Sequence, residues 1–549
     1  MRGKTFLMTG VAVVALVASA DAGLAKTKQQ PAPAASSAPT PVAAPSNAEL
    51  DARVSALEAE LAAAEEHTTA DHTRLSTLEQ NFNDTSWSFD NGRPTVKSGD
   101  GRFTMAFRVR FQSDFAGFMQ DSTHPAGFAG PTDLSSGAVV RRAYFGVEGK
   151  VFNDFAYELR LNGGGTNGGS NGASGGVTGS EGDALVNKAV VTYTGITNVH
   201  FNVGVIEPAF MFEGTTSSAS LMFLERPEID NIAADSFGAG DSRRGIELGW
   251  AKQDTLWSGD NLAATMAFTG GKTGTATNHG SLNTNPGDGD ENSQLLGRVS
   301  ERLWTDGARS NIQIGASGAT VLYSGSNGNT NGGAQTLNFQ DRPEIRVDGT
   351  RLISTGGIAA KTGHMWAVDA GGNYENFFLG GEYSQFTMDR QCGATLTPAL
   401  NPACVTPTSV KDHPNFSGWY LEGSWILTGE AKTYSPSAIN NEVGGFNAPV
   451  PSRPFSFSGD SWGAWELAAR YSDTDLNWNT TQLASPVQLA GITGGDERVL
   501  ALAVNWYLNR NVRVMLDDNI VTVKKGTALI PNRDGQDLNI VGVRVQFAN

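Results

Sequence analysis

The chain has little cysteine, only Cys392 and Cys404 in 549 residues. It therefore lacks the Cys and His sets of a structural zinc site, and its seven histidines fall in no ligand or triad spacing. Beyond its first residues it has no apolar run long enough to cross a membrane as a helix, and the mean hydropathy is −0.26. This excludes a helical membrane bundle. It does not exclude a barrel that crosses with strands, whose signal per segment is weak. Basic residues are in deficit, 40 Lys and Arg against 56 Asp and Glu, a formal net charge of −16. Such a balance argues against a nucleic-acid partner. Helical periodicity is also missing from Gly101 to Phe547.

The stretch Ser136–Asn162 shows what takes its place. Phe155, Tyr157, Leu159 and Leu161 alternate with Ala156, Glu158, Arg160 and Asn162. Before a polar turn at Phe152–Asn153–Asp154, Val139, Ala143, Phe145, Val147 and Val151 alternate with Val140, Arg142, Tyr144, Glu148 and Lys150. Period two means two strands with one apolar and one charged face. Sixteen such candidates follow one another. Connections after odd-numbered candidates are long and rich in Gly, Asn, Ser and Asp, and those after even-numbered ones are mostly short. Long outer loops and short periplasmic turns predict that asymmetry. Thr428–Trp462 breaks the parity. The fold class expected is all-β, a sixteen-stranded antiparallel transmembrane β-barrel with an N-terminal periplasmic coiled-coil helix.

Five segments are expected. Residues 1–22 read as a signal peptide, with Arg2 and Lys4 before an apolar run and Ala18-Ser19-Ala20 or Ala20-Asp21-Ala22 as the cleavage site. Residues 23–46 are a Pro/Ala-rich linker. In 47–83, Leu50, Val54, Leu57, Leu61, Ala64, Thr68, Asp71, Leu75, Leu78 and Phe82 repeat at alternating spacings of four and three. That is a heptad seam with a polar interruption, capped by Ser46 or Asn47. A lone amphipathic helix is the other reading. Residues 84–98 are a second linker, and 99–549 form the barrel.

Only lipid tolerates Phe103, Met105, Phe107, Val109, Phe111 and Phe115 on one face, so the other face is the lumen. This sorting places Arg102, Arg108, Arg110, Arg142, Lys150, Arg160, Lys188, Arg298, Arg302, Arg470, Arg513 and Arg544 inside, together with Glu148, Glu158, Glu247, Glu382, Glu422 and Glu466. The basic residues either line a path for solutes or form ladders with the acids of neighbouring strands. Trp250, Trp419, Trp425, Trp465 and Trp506 fall on the outward set, as an aromatic girdle would. A G-x-S-x-G match at Gly172–Gly176 lies in a Gly/Ser run without strand-to-helix context. Asp288, Asp290 and Glu291 read as a solvated loop rather than a calcium site.

The runs VVRRAYFGVEGKVFNDFAYELRLN, NKAVVTYTGITNVHFNVGVIEPAFMFEGTTSSASLMFLER, DRPEIRVDG, FSGWYLEGSWILTGE, GAWELAARYS and ALAVNWYLNRNVRVML resemble, in that order, the phosphate-selective porin O and porin P family. The resemblance implies a homotrimer of barrels in the outer membrane, bordered by lipid and lipopolysaccharide. It implies a loop at 207–242 folded into the lumen, with Thr216, Ser217, Ser218, Glu225 and Arg226 at the constriction. It implies a row of arginines, here Arg108, Arg110, Arg141, Arg142, Arg342 and Arg346, that moves small anions. Phosphate-binding members carry a lysine after Thr-Ser-Ser, where this chain has Ala219. The expected function is a passive channel for small solutes that favours anions such as phosphate, or else a general or carbohydrate channel. It needs no enzyme activity, cofactor or metal. Cys392 and Cys404 are expected to be bonded in an exported loop.

Overall fold

The computed structural model describes residues 46–90, 92–120, 134–165, 186–238, 242–272, 293–323, 336–391, 411–436, 443–483, 489–525 and 534–549. Cys392, Cys404, the signal segment, the Gly172–Gly176 match and Asp288–Glu291 lie outside them. The chain divides into two units between Ser76 and Thr77.

The described residues of the first unit are helical. Helix α1 (Asn47–Asn83) begins in a capping box, with Ser46 Oγ accepting from the Glu49 amide at 3.3 Å and Glu49 Oε2 accepting from the Ser46 amide at 3.3 Å. Leu50, Val54, Leu57, Leu61, Leu75 and Leu78 are all exposed on it.

The second unit is a closed antiparallel barrel. Its strands are β1 (Thr104–Gln120), β2 (Gly137–Val151), β3 (Phe155–Asn162), β4 (Val186–Tyr193), β5 (Val199–Ile206), β6 (Arg243–Gln253), β7 (Asn261–Lys272) and β8 (Ser293–Thr305). They continue with β9 (Ser310–Tyr323), β10 (Ile358–Tyr374), β11 (Phe377–Gln391), β12 (Asn415–Ile426), β13 (Ala464–Trp478), β14 (Ile492–Tyr507), β15 (Val512–Lys524) and β16 (Asp534–Ala548). Each pairs with the next, and β16 pairs with β1 from Leu538↔Gln120 to Ala548↔Arg110, so no edge is left over. The sixteen expected strands correspond one to one. Outward Phe111, Phe115, Phe145, Leu248, Trp366, Trp419 and Trp425 are exposed, while inward Gln112, Asp114, Arg298, Arg470 and Arg544 are buried.

Three expectations are corrected. Residues 84–98 are not a linker. Strands Ser86–Asp90 and Arg93–Lys97 pair as a hairpin, and the second continues onto β1 through Thr95↔Ala106 and Lys97↔Thr104. The physical reason is that β16 ends opposite Arg110, leaving the start of β1 without a partner on that side. The Asn-Gly at 91–92, with Gly92 at φ 81°, was the turn signal. Arg102 does not reach the lumen. It precedes β1, is exposed, and pairs with Asp100 at 2.7 Å. Strict alternation also fails in β2. A β-bulge moves the register from Gln112↔Arg142 to Ser113↔Val140. Arg141 and Arg142 are both buried in consequence, and Val140 turns outward.

The lumen is occupied. Segment 207–242, between β5 and β6, carries a helical turn at Phe212–Thr215 and helix α2 (Glu228–Phe237). Its Phe210, Phe212, Phe223, Ile232 and Phe237 form an apolar core inside the barrel with Phe339 and Ile345 of segment 336–357 and inward Phe386, Phe416 and Val499. Gly371 and Gly380 make room, since a Cβ there would lie 2.3 and 2.7 Å from the Phe212 ring. The long connection 428–462 also turns inward. Its short strands Thr433–Ser435 and Gly445–Asn447 pair, and Phe446 packs on Phe212, Phe378 and Tyr434 at 6.0, 5.2 and 5.6 Å.

Candidate functional site

The expected arginines separate by the partners that the fold supplies. Strand alternation aims Arg108 inward from β1, where it lies 3.1 Å from both Glu148 and Glu158. Glu158 also holds Lys188 at 3.0 Å and Arg160 at 3.5 Å, and Arg160 reaches Glu207. Arg93, from the hairpin, joins the row at Glu148. Arg298 is fully buried against Asp369 at 2.6 Å. Arg470 contacts Glu344 at 2.5 Å and Glu422 at 3.7 Å, and stacks on Phe223. Arg544 grips Asp114 with Nε and Nη2 at 2.6 and 2.7 Å. Most of these are the cross-strand ladders that inward charges of both signs allowed, while Glu207 and Glu344 come from the inward segments.

Arg110 and Arg513 differ. Arg110 donates to Ser218 Oγ at 2.6 Å and Ser217 Oγ at 3.0 Å, and lies over the Tyr144 ring. Arg513 donates to the Leu221 carbonyl, the Tyr507 hydroxyl and Gln546 Oε1 at 2.8, 3.3 and 3.1 Å. All these partners are neutral. Both arginines line a cavity of about 650 Å³ at the end of the barrel where the short turns lie, with Arg93, Arg108 and Arg510 also in its wall. Among the described residues Glu148 is its one acidic side chain. Ser217, Ala219 and Ser220 of segment 207–242 and Asn447–Val450 of segment 428–462 complete the lining.

A second cavity of about 450 Å³ shares Thr95, Ala106 and Glu148 with the first. Lys150 and Lys188 are offset there by Glu148, Glu158 and Glu207. Burial would raise the Glu207 carboxyl, but Arg160 and Lys188 outweigh it and hold it low.

Segment 207–242 is fastened along its length. Arg226 donates to the carbonyls of Glu213 and Thr216 at 2.8 and 2.6 Å, and the hydroxyl of Thr216 donates to the Phe212 carbonyl at 3.4 Å. The Leu224 amide donates to Asp517 at 2.6 Å, and Asn505 donates to the Met222 carbonyl at 2.8 Å. Glu225 is buried between Arg141 at 2.7 Å, Arg544 at 2.9 Å, Arg346 at 3.6 Å and Arg142 at 3.7 Å. Arg342 is fully buried. Arg302 lies against the Tyr434 ring and bonds the Gly259 carbonyl, away from the first cavity. Arg93, Tyr507, Arg510 and Gln546 were not anticipated. The Asn-Gly at 91–92 is a hairpin signal beside Arg93, and the alternation that turns Arg544 inward and Trp506 outward also puts Gln546 and Tyr507 on the inward face, whereas Arg510 lies in a short turn that alternation does not sort.

No curated protein matches the chain. Three solved structures are similar to it. OmpT of Vibrio cholerae, in its trimer form, is 9% identical over 81% of this chain and 99% of its own, with a TM-score of 0.41. An anion-selective porin from Comamonas acidovorans is 12% identical over 81% and 100%, with a TM-score of 0.42. The outer membrane channel DcaP of Acinetobacter baumannii is 12% identical over 82% and 99%, with a TM-score of 0.39. The family model of phosphate-selective porin O and P matches residues 105–548, from the first strand of the barrel to the last, and the chain belongs to that family of outer-membrane channels.

Proposed function

We propose that the chain is a passive channel for small solutes that favours anions such as phosphate. The observation that carries this reading is the pair Arg110 and Arg513, whose named partners are neutral and which share one cavity. A guanidinium whose neighbours are hydroxyls, amides and carbonyls keeps its field, and a low-dielectric wall concentrates it in the bore. Arginine also holds its charge at any usable pH and presents a fork that fits oxyanions. Passage needs no covalent chemistry, only a wet bore and a field weak enough to let the ion leave. The family description, which names phosphate, supports the same solute class. Ala219 in place of a lysine keeps the site weak.

The test is the reversal potential of full-length channels in planar bilayers under a salt gradient. Replacing Arg110 and Arg513 by alanine shifts it toward cations, whereas Arg108→Ala, whose charge Glu148 and Glu158 already offset, shifts it less. Two unit charges 4 Å apart interact by about 1 kcal/mol even in bulk water, so the permeability ratio falls roughly fivefold. An unshifted double variant defeats the reading. The second cavity, where acids offset the lysines, favours a general channel of little selectivity; near-zero reversal potentials in the unmodified protein would support it instead.

The same proposal includes a homotrimer in the outer membrane, with 1–22 removed as a signal, 23–46 a linker and α1 a periplasmic coiled coil. The exposed heptad residues of α1 support it, as does charge complementarity. In a parallel arrangement in register, Arg53 and Arg74 of one copy face Glu58 and Glu79 of the next.

A further inference from the structure

The β-bulge in β2 turns two consecutive arginines into the lumen, and two more approach from β16 and from segment 336–357. All four guanidiniums converge on one side chain. Glu225 Oε1 accepts from Arg141 Nε at 2.7 Å and Arg544 Nη2 at 2.9 Å, and lies 3.7 Å from Arg142 Nη1. Its Oε2 accepts from Arg141 Nη2 at 3.2 Å and lies 3.6 Å from Arg346 Nε. Asp114 joins this group through Arg544. Four guanidiniums thus meet at the one carboxylate of Glu225.

The cluster adjoins the cavity. Arg513 donates to Gln546 Oε1 at 3.1 Å, Gln112 Nε2 donates to the same oxygen at 2.6 Å, and Arg142 donates to Gln112 Oε1 at 2.8 Å. This row leads from the cavity wall to Glu225. Holding segment 207–242 in place does not require the Glu225 carboxylate. The Leu224 amide and the Met222 and Leu221 carbonyls are bonded to Asp517, Asn505 and Arg513 of the wall independently of it.

We propose that Glu225 is a tethered counter-anion: its carboxylate fills an oxyanion subsite formed by Arg141, Arg142, Arg346 and Arg544, and so limits how tightly the bore holds a permeating anion. Two carboxylate oxygens held side-on by one guanidinium and end-on by others present the geometry in which arginines take two oxygens of a phosphate. A mobile oxyanion entering this place must displace a ligand that is already attached to the chain, at a high effective concentration. The channel then passes anions without retaining them. This inference rests on the anion-channel reading.

The experiment uses full-length Glu225→Ala channels in planar bilayers, with inorganic phosphate added to chloride. The vacated carboxylate leaves room for phosphate, so chloride current is expected to fall saturably, with apparent phosphate affinity raised about tenfold or more over the unmodified channel. The reversal potential moves toward anions, and Arg141→Ala in the same chain abolishes both changes. Glu225→Gln removes the charge while keeping the volume, and is read for selectivity alone. It must move the reversal potential in the same direction. Unmoved selectivity in either variant overturns the proposal. So does an equal rise in anion and cation conductance, which would mean that Glu225 only pins the loop. The effects are differences from the unmodified channel. An unmodified channel without anion preference defeats the proposed function, whereas unshifted variants of an anion-preferring channel defeat this inference alone.

Discussion

Arg544 and Asp114 face each other directly across the seam where the last strand meets the first, joined by two hydrogen bonds of 2.6 and 2.7 Å with both side chains fully buried. Antiparallel pairing closes the barrel along this line, and the ion pair fixes its register. Asp114→Ala leaves a buried guanidinium short of one counter-charge, at a cost of about 3–5 kcal/mol. Unfolding in detergent, followed by gel mobility after graded heating, should show a lower transition. The double replacement Asp114→Leu with Arg544→Met should recover most of the loss. A single variant as stable as the parent would show that the hydrogen-bond ladder alone holds the seam.

Ala548 and Asn549 continue that seam past Phe547. Asn549 Oδ1 accepts from the Val109 amide at 2.7 Å, and Asn511 Nδ2 donates to the Ala548 carbonyl at 2.8 Å. Ala548 and Asn549 thus hold β1 next to the point where the hairpin takes over.

Phe446 ties the inward connection 428–462 to Phe212 of segment 207–242 and Phe378 of the wall. Phe446→Ala removes the shared ring contact, with a loss of about 3–5 kcal/mol of packing. Single-channel conductance should increase while the sign of selectivity is kept, because Arg110 and Arg513 stay in place. Conductance equal to that of the parent would place the narrowest point elsewhere.

Selectivity should depend on pH through carboxylates of the inward loops. Burial pushes the Asp341 carboxyl up, and Arg346, Arg342 and Arg351 pull it only part of the way back, to about 6. Burial and then Glu213 raise Asp230, against Arg226 and Arg470. Both are neutral below their raised values and negative above them, so lowering the pH from about 8 to 5 removes negative charge. Glu225 adds nothing to this change. Burial would raise it, but Arg141, Arg142, Arg544 and Arg346 outweigh burial and hold it well below the carboxylate range. Reversal potentials should move toward anions on acidification, and Asp341→Asn should flatten the part of the change near pH 6. A flat profile in the unmodified channel would contradict the assignment.

Association of α1 is tested in the whole protein. Replacing Leu57 and Leu78 by Asp puts charge into the heptad seam and should lower the temperature at which trimers dissociate in native electrophoresis. An unchanged dissociation temperature would assign trimer stability to the barrel alone.

The sequence by itself determined the strands, their number and which face of most of them meets lipid. In a barrel these follow from local rules: side chains alternate sides, and lipid admits no charge across its middle. Loop parity was also legible, including its violation at Thr428–Trp462, although only the tertiary structure turned that connection inward. The cap of α1 at Ser46 could be read from neighbouring residues alone. The bulge at Arg141–Arg142 could not be read from alternation, because one extra residue is settled by the partner strand. The hairpin at 86–97 depends on where β16 stops, which is a property of the closed sheet. Tertiary structure alone decided which arginines keep their field. Arg108 and Arg110 sit on the same face of one strand, yet Glu148 and Glu158 offset the first while the second meets two serine hydroxyls. The physical reason is range: alternation is set within one strand, whereas a charge is compensated by residues that lie far away in the chain and come near only when the barrel closes and its loops fold in.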